Sequence, residues 1–258
     1  MMPARRIHLD RDAVVATWRH LRLGDRPPLL DVPDHGPTLS ARDAADHTAL
    51  CGLRGRGLAR TGPAGLPVPC ADLADALRVL DDPEVDVDLR CWDPDQRGWF
   101  AAVSGELTVV VEPDRDHGWT LDLVSRAPGS SPGELVEALA RLVLARAPDE
   151  RPTGTTLTVP ADVLFAGAPT HRLPPAVGKR IAALRAEPPR RRMQLGARVS
   201  RRRVGPLTVV DAAEGRTLVE RDGDTVRVRP ADRLAIAGEL ARRAGPAQGP
   251  ARVVTCGP

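Results

Sequence analysis

The chain has 258 residues, a formal net charge of +3 and an isoelectric point near 9.0, enough length for one large domain or two small ones. No apolar run reaches the ~18–20 residues that a membrane-spanning helix needs. The excess of positive charge is no argument for a polyanion partner: one lysine (Lys179), no tyrosine, no asparagine and an abundance of Arg, Ala, Gly and Pro reflect a GC-rich genome of actinobacterial type.

Read in order, a short strand at Arg6–Leu9 precedes a helix capped by Asp10 or Asp12. Val14, Val15, Trp18 and Leu21 recur there at helical spacing, and Gly24 and Pro27 end it. A Pro-rich loop runs to about Pro37. Ser40 introduces a second helix with Leu50 and Leu53 on one face, and Leu73, Leu77 and Leu80 mark a third, closed by Pro83. From Glu84 the period changes to two. Val85, Val87, Leu89 and Cys91 face one way and Asp86, Asp88 and Arg90 the other, the pattern of a half-buried antiparallel strand. Three more strand runs follow, introduced by Gly98, Gly105 and Gly118. Ser131, Pro132 and Glu134 then spell a helix start with a capping box ahead of Leu135, Leu139, Leu142 and Val143.

After a connecting segment with a strand in "TTLTVPADVL" and a helix around Val177–Ala186, the order recurs. "MQLGARVSRRR" is a strand, runs led by Gly205, Gly215 and Gly223 follow, and a helix opens at Pro230-Ala231-Asp232 and ends at Gly245. Four strands and a helix thus occur twice, about 105 residues apart. The expected fold is a single α+β domain over residues 1–258, its pseudo-repeat halves roughly 6–147 and 155–245, with a flexible tail at 246–258. A central twisted antiparallel sheet flanked by helical bundles, with a pseudo-twofold repeat, satisfies both units at once.

The acidic residues in "LTVVDAAEGRTLVERDGDTVRVRPAD" (Leu207–Asp232) read as turn chemistry. Asp222-Gly223 and Glu214-Gly215 supply positive φ at hairpins, and Asp211 to Asp224 sit at strand ends where turns are solvated. The same holds for Asp93-x-Asp95 and Asp114-x-Asp116-His117. A metal is not expected: "DGD" is far short of a calcium loop, and His47 and Cys51, four apart on one helix face, lack a second ligand pair. Cys51, Cys70, Cys91 and Cys256 are scattered, as in a reduced compartment, and "MMPARRIHLDRD" has no apolar segment behind its arginines, so no signal peptide is read there. There is no GxSxG nucleophile elbow, no phosphate loop and no dinucleotide fingerprint. No catalytic residue, no cofactor and a cytoplasmic location are expected.

Two features concern partners. "EPPRRRMQLGARVSRRRVGP" holds Arg190, Arg191, Arg192, Arg198, Arg201, Arg202 and Arg203, which protect a sheet edge or dock an acidic protein face or nucleic acid. The run carries no aromatic residue for base stacking. Trp92 and Trp99 bracket the turn "DPDQR" and suit either core packing at a sheet end or a binding hot spot.

The run "VVDAAEGRTLVERDGDTVRVRPAD" resembles the closing segment of the EspG family associated with ESX (type VII) secretion. There a (V/F)xD…GR(Y/T)L strand, a polar turn and a VxV.PAD strand end lead into a helix. The Trp-bearing helix ending "LRLGDRPP", the helix "ARDAADHTALCGLRGRGLA" and "ALRVLDDPEVDVDLR" agree in order, so the resemblance spans roughly Arg6 to Ala244. It implies a cytoplasmic chaperone without catalytic residues that binds secreted PE–PPE heterodimers through the sheet, the loop between its second and third strands and the C-terminal helical region. That loop, Trp92 to Gly98, is short here, which leaves a PE–PPE-like or a WxG-type helical-hairpin client open. Partner binding is expected at Trp92, Arg97 and Trp99 and at Arg198, Arg201 and Arg203. The alternative is a nucleic-acid-binding regulator that uses the Arg190–Arg203 strand.

Overall fold

The computed structural model describes residues 5–245 apart from 35, 94–95, 115–117, 127–130, 166–167, 172, 187–188 and 214. The tail at 246–258, with Cys256, and the expectations for Asp95, Asp116, His117 and Glu214 lie outside the described residues.

A first strand, β1 (Arg5–Leu9), leads into α1 (Arg11–His20). Asp10 caps that helix, its carboxylate accepting from Ala13 N at 2.8 Å, and Trp18 is buried with its indole N–H donated to Gly24 O at 2.7 Å. The second helix, α2 (Leu39–Gly55), is capped by Thr38 and not by Ser40, which falls in the first turn. A small hairpin of β2 (Ala59–Thr61) and β3 (Pro67–Pro69) follows. Three-residue strands containing two prolines carry no readable alternation, so nothing in the sequence announced it. Next comes α3 (Ala71–Asp81), with Leu73, Leu77 and Leu80 buried as their spacing requires.

The first meander is β4 (Val85–Trp92), β5 (Gln96–Ser104), β6 (Leu107–Pro113) and β7 (Trp119–Ser125), closed by α4 (Pro132–Arg146). The Ser131–Glu134 capping box is fully formed. Gly98 lies inside β5 and does not introduce it. A connecting segment holds β8 (Leu157–Pro160), α5 (Ala161–Phe165) and α6 (Pro175–Ala186). The second meander is β9 (Arg191–Val199), β10 (Arg202–Ala212), β11 (Gly215–Asp222) and β12 (Thr225–Pro230), closed by α7 (Arg233–Ala244). Asp232 caps α7 through Ala235 N.

The run "MQLGARVSRRR" is therefore not one strand. The chain reverses at Ser200 and Arg201, both at positive φ (46° and 70°), so Arg198 and Arg203 face one another across a hairpin. Gly205 lies within β10, where the register shifts between Val204 and Leu207.

Apart from β2 and β3, the strands form one ten-stranded sheet in the order β1-β7-β6-β5-β4-β9-β10-β11-β12-β8, paired antiparallel throughout. The two meanders join at β4 and β9, and each is completed at its outer edge by the strand that precedes it in the chain.

One face of the sheet is covered centrally by α4 and α7. Val136, Leu139, Val143, Ile236 and Leu240 pack there on Val87, Leu89, Cys91, Leu195 and Val209. Each such fully buried aliphatic side chain contributes about 1.5–3 kcal/mol. On the opposite face α1, α2 and α3 cover β1, β7, β6 and β5 through Ile7, Leu9, Trp119, Leu121, Phe100 and Val109. At the far edge α5 and α6 cover β8 and β12 through Leu157, Val159, Val226 and Val228. Besides α4 on one face, the loop between α1 and α2 shields β4 on the other, where Arg26, Pro27 and Pro28 line a cleft with Asp86, so β4 is more enclosed than a half-buried strand and Asp86 is buried.

Candidate partner-binding surface

The two helical groups on that second face do not meet. Between them the central strands show side chains that none of the described helices covers: those packing on β4, β9 and β10 are α4 and α7, on the other side. Strand registers place the exposed row residues together. Trp92 pairs with Arg192 and Arg192 with Val210; Arg90 pairs with Gln194 and Gln194 with Thr208; Asp86 pairs with Arg198 and Arg198 with Arg203. With strands about 4.8 Å apart, the strip from β4 to β11 is roughly 14 Å wide, close to the 10–12 Å diameter of one helix with its side chains.

The strip has two unlike ends, six residues apart along β4 and so about 20 Å. At one end stand Trp92, half-buried, and the partly exposed Val210. At the other, Arg198 donates to Asp86 at 2.6 Å and Arg203 stands 4.0 Å from Asp88, its side chain 72% exposed. Burial lifts the Asp86 carboxyl above its ordinary value against the opposing pull of Arg198. Between the ends Gly196 leaves bare backbone, and the Asp88 carboxylate lies over it: a Cβ there would come within 2.8 Å of Asp88 Oδ1.

The loop between α1 and α2 forms one wall. It encloses a cleft of about 330 Å³ lined by Pro28, Leu29, Arg90 and Gln96, and one of about 310 Å³ lined by Arg26, Pro27, Asp86, Asp88, Arg198 and Arg203.

The residues expected from the sequence fall in different places. Trp92, Arg198 and Arg203 share the open face. Arg201 is exposed in the turn beside Arg203. Trp99 is on the opposite face, 6% exposed, in the core beneath α4 and α7, so of its two readings core packing is the one its burial supports. Arg97 points to that side too and pairs with Asp93 at 2.6 Å. Burial raises and Arg97 lowers the Asp93 carboxyl, with the net effect downward. Asp86, Asp88 and Gln194 were absent from the expected set, although the alternation of "VDVDLRC" already placed the two acids on one face.

The basic run is not a free cationic patch. Arg191 binds Asp211 at 2.8 Å, Arg198 binds Asp86, and Arg202 donates to Ala244 O at 2.9 Å. Three of its arginines are thus engaged within the fold, and the run carries no aromatic residue for base stacking, which disfavours nucleic acid.

Asp211 is a correction. It is no solvated turn residue but lies inside β10, its side chain fully buried against Arg216. The polar pairings elsewhere carry little chemistry. Cys51 and His47 are 3.6 Å apart on α2, and burial pushes the Cys91 thiol up to about 11, which keeps it protonated and inert. Among the described residues no cluster of three or more His, Cys, Asp or Glu could hold a metal ion, and no helix is long and apolar enough to cross a membrane.

A model of the EspG family matches residues 10–242. Among solved structures, the fold is similar to a chain in the structure of the Mycobacterium tuberculosis type VII secretion system chaperone EspG5 in complex with the PE25–PPE41 dimer. The match has a TM-score of 0.64 and 14% identity, over 93% of this chain and 95% of that one. No curated protein matches the sequence.

Proposed function

This chain belongs to the EspG family, and from that premise we propose that it is a type VII secretion chaperone. It binds a secreted helical-hairpin client, PE–PPE-like or WxG-type, and keeps it soluble in the cytoplasm before export. The observation that carries the reading is the likeness, along nearly the whole of both chains, to a structure of EspG5 with PE25–PPE41.

The open strip supports it in physical terms. A sheet stiffened by helices on its other face presents side chains in fixed positions, so little conformational entropy is lost when a partner docks. We place the client on that strip, with Trp92 as an anchor at one end and Arg198, Arg201 and Arg203 at the other. In this reading the protein is a binding protein and not an enzyme, and residues 1–258 act as one domain.

The test is co-expression with the secreted helical-hairpin proteins encoded beside it. A stoichiometric complex that co-elutes in gel filtration, and a client that precipitates without the chain, are expected. Failure of every neighbouring client to form a complex overturns the assignment.

A further inference from the structure

The open strip also constrains the chemistry of what sits on it. We infer that the client presents an acidic helical tip, whose Asp or Glu side chains lie over β9 and the β9–β10 turn while an apolar flank rests at the Trp92 end. This inference rests on the client-binding reading above.

Three observations carry it. The first is the layering of charge. The two carboxylates of the strip lie low, Asp86 buried and Asp88 folded over the bare Gly196 backbone. Above them Arg198 and Arg203 are exposed, with Arg201 in the adjoining turn, and Arg192 is exposed farther along β9, opposite Trp92. An arriving surface therefore meets guanidinium groups first. Among the described residues Arg192 and Arg201 have no carboxylate within ion-pair distance, so their charge is available to a partner. Arginine at such a site binds carboxylates in a planar, two-point geometry.

The second is backbone pairing. β4, β9 and β10 each have a strand on both sides. No N–H or C=O row is open here to an added strand, so recognition runs through side chains and favours a helical partner over an extended one. The third is the unlike pair of ends. Trp92 and Val210 offer partly exposed apolar surface on either side of Arg192, about 20 Å from the cluster of Arg198, Arg201 and Arg203, so a hairpin tip whose more acidic flank lies over that cluster docks in a single direction.

The experiment uses the full chain in complex with a co-expressed neighbouring client. Arg192→Glu and Arg201→Glu are the test variants, since neither has a carboxylate partner among the described residues. Arg141→Glu, on α4 on the far face, is the control. Calorimetric titration is expected to show each test reversal weakening the complex about tenfold or more, the control leaving it unchanged, and wild-type affinity falling as salt rises. Acid-to-lysine changes at the client's tip should restore binding to the reversed chain. A complex with unchanged affinity for both reversed variants and no salt dependence overturns the acidic-tip inference and leaves the chaperone assignment standing. No complex with any neighbouring client overturns both. Should a reversal lower the melting temperature, Arg192→Gln and Arg201→Gln give the same readout with a smaller, still measurable loss, and no loss there counts against the inference.

Discussion

Arg216 and Asp211 face one another across the β10–β11 pair with both side chains wholly removed from solvent. Arg216 Nε and Nη2 donate to the two carboxylate oxygens at 2.8 and 2.9 Å. Burial alone would lower the arginine's pKa, but the hydrogen bonds and charge of Asp211 outweigh it and the guanidinium is held charged. Its Nη2 also donates to Pro148 O at 2.8 Å, and its backbone N–H to Arg151 O at 2.9 Å. One buried ion pair thus fastens the second meander to the segment that leaves α4.

Removing Asp211 leaves the Arg216 guanidinium uncompensated in the interior, whereas removing Arg216 leaves Asp211 still paired with Arg191 at 2.8 Å. Asp211→Ala is expected to destabilise the fold by about 3–5 kcal/mol, and Arg216→Ala by less. The double variant should lose less than the sum, because Arg216 is no longer left buried without its carboxylate. Urea denaturation of the four proteins checks this. Additive losses would mean that the two residues act independently.

How this pair escaped a sequence reading is instructive. "VVDAAEGRTL" carries Asp211 four residues before a Gly-led strand, a spacing that a solvated turn also produces. The distinction depends on Pro148, Arg151 and α7 closing over the site from distant parts of the chain. What local pattern controls was legible: the caps at Asp10, Ser131 and Asp232, the two meanders, the Leu faces of α3 and α4. The candidate site was legible only in part. Alternation placed Asp86, Asp88 and Arg90 on one face. Nothing local could say that Trp92 and Trp99, bracketing one turn, project to opposite sides of a sheet covered on one and open on the other.

Asp86 offers a contrast with Asp211. Its carboxyl is raised by burial, so the ionised form costs stability at neutral pH. The sign follows: a folded pKa above the unfolded one means stability is lost as pH rises from the unfolded value through the folded one. Its partner Arg198 is 45% exposed and can turn to water when the charge is removed. Asp86→Asn is therefore expected to leave stability at pH 7 within about 0.5 kcal/mol of wild type or to raise it. A loss comparable with Asp211→Ala, measured in the same urea titration, would show that the Asp86–Arg198 pair is a net source of stability.

Gly215 opens β11 at φ +96°, and a Cβ there would sit 2.4 Å from Arg151 O and 2.6 Å from Thr153 Oγ1. Gly215→Ala combines a left-handed backbone cost with a clash against main chain that cannot swing aside. A loss of about 2 kcal/mol or more is expected. The clash falls on the segment held by Arg216, so a glutamate-specific protease should cut after Glu150 faster in the variant than in wild type. Gly223→Ala is the comparison. It has a positive φ of 56° but open space around it, so it should lose less stability and leave the Glu150 cleavage rate unchanged.

Glu239 ties α7 to the sheet and gives the fold a pH dependence of known sign. Hydrogen bonds from Arg242 pull its carboxyl down first; burial opposes them, and Arg243 adds to the lowering, which takes it to about 2 from an ordinary 4.5. Arg243 reaches on to Glu220, which binds Arg229 on β12, so the cluster joins the helix to β11 and β12. A depressed carboxylate contributes stability that is fully present above its unfolded pKa and is lost as pH falls from about 4.5 towards about 2. Arg242 is 70% exposed, so solvent screens much of the interaction and the contribution at pH 7 is roughly 1 kcal/mol. Glu239→Gln should therefore be less stable than wild type by about that amount at pH 7, and the gap should close as the pH approaches 2. Thermal melts of both proteins across that range decide it, since a gap that stays constant down to the lowest pH would assign the loss to packing of the side chain and not to its charge.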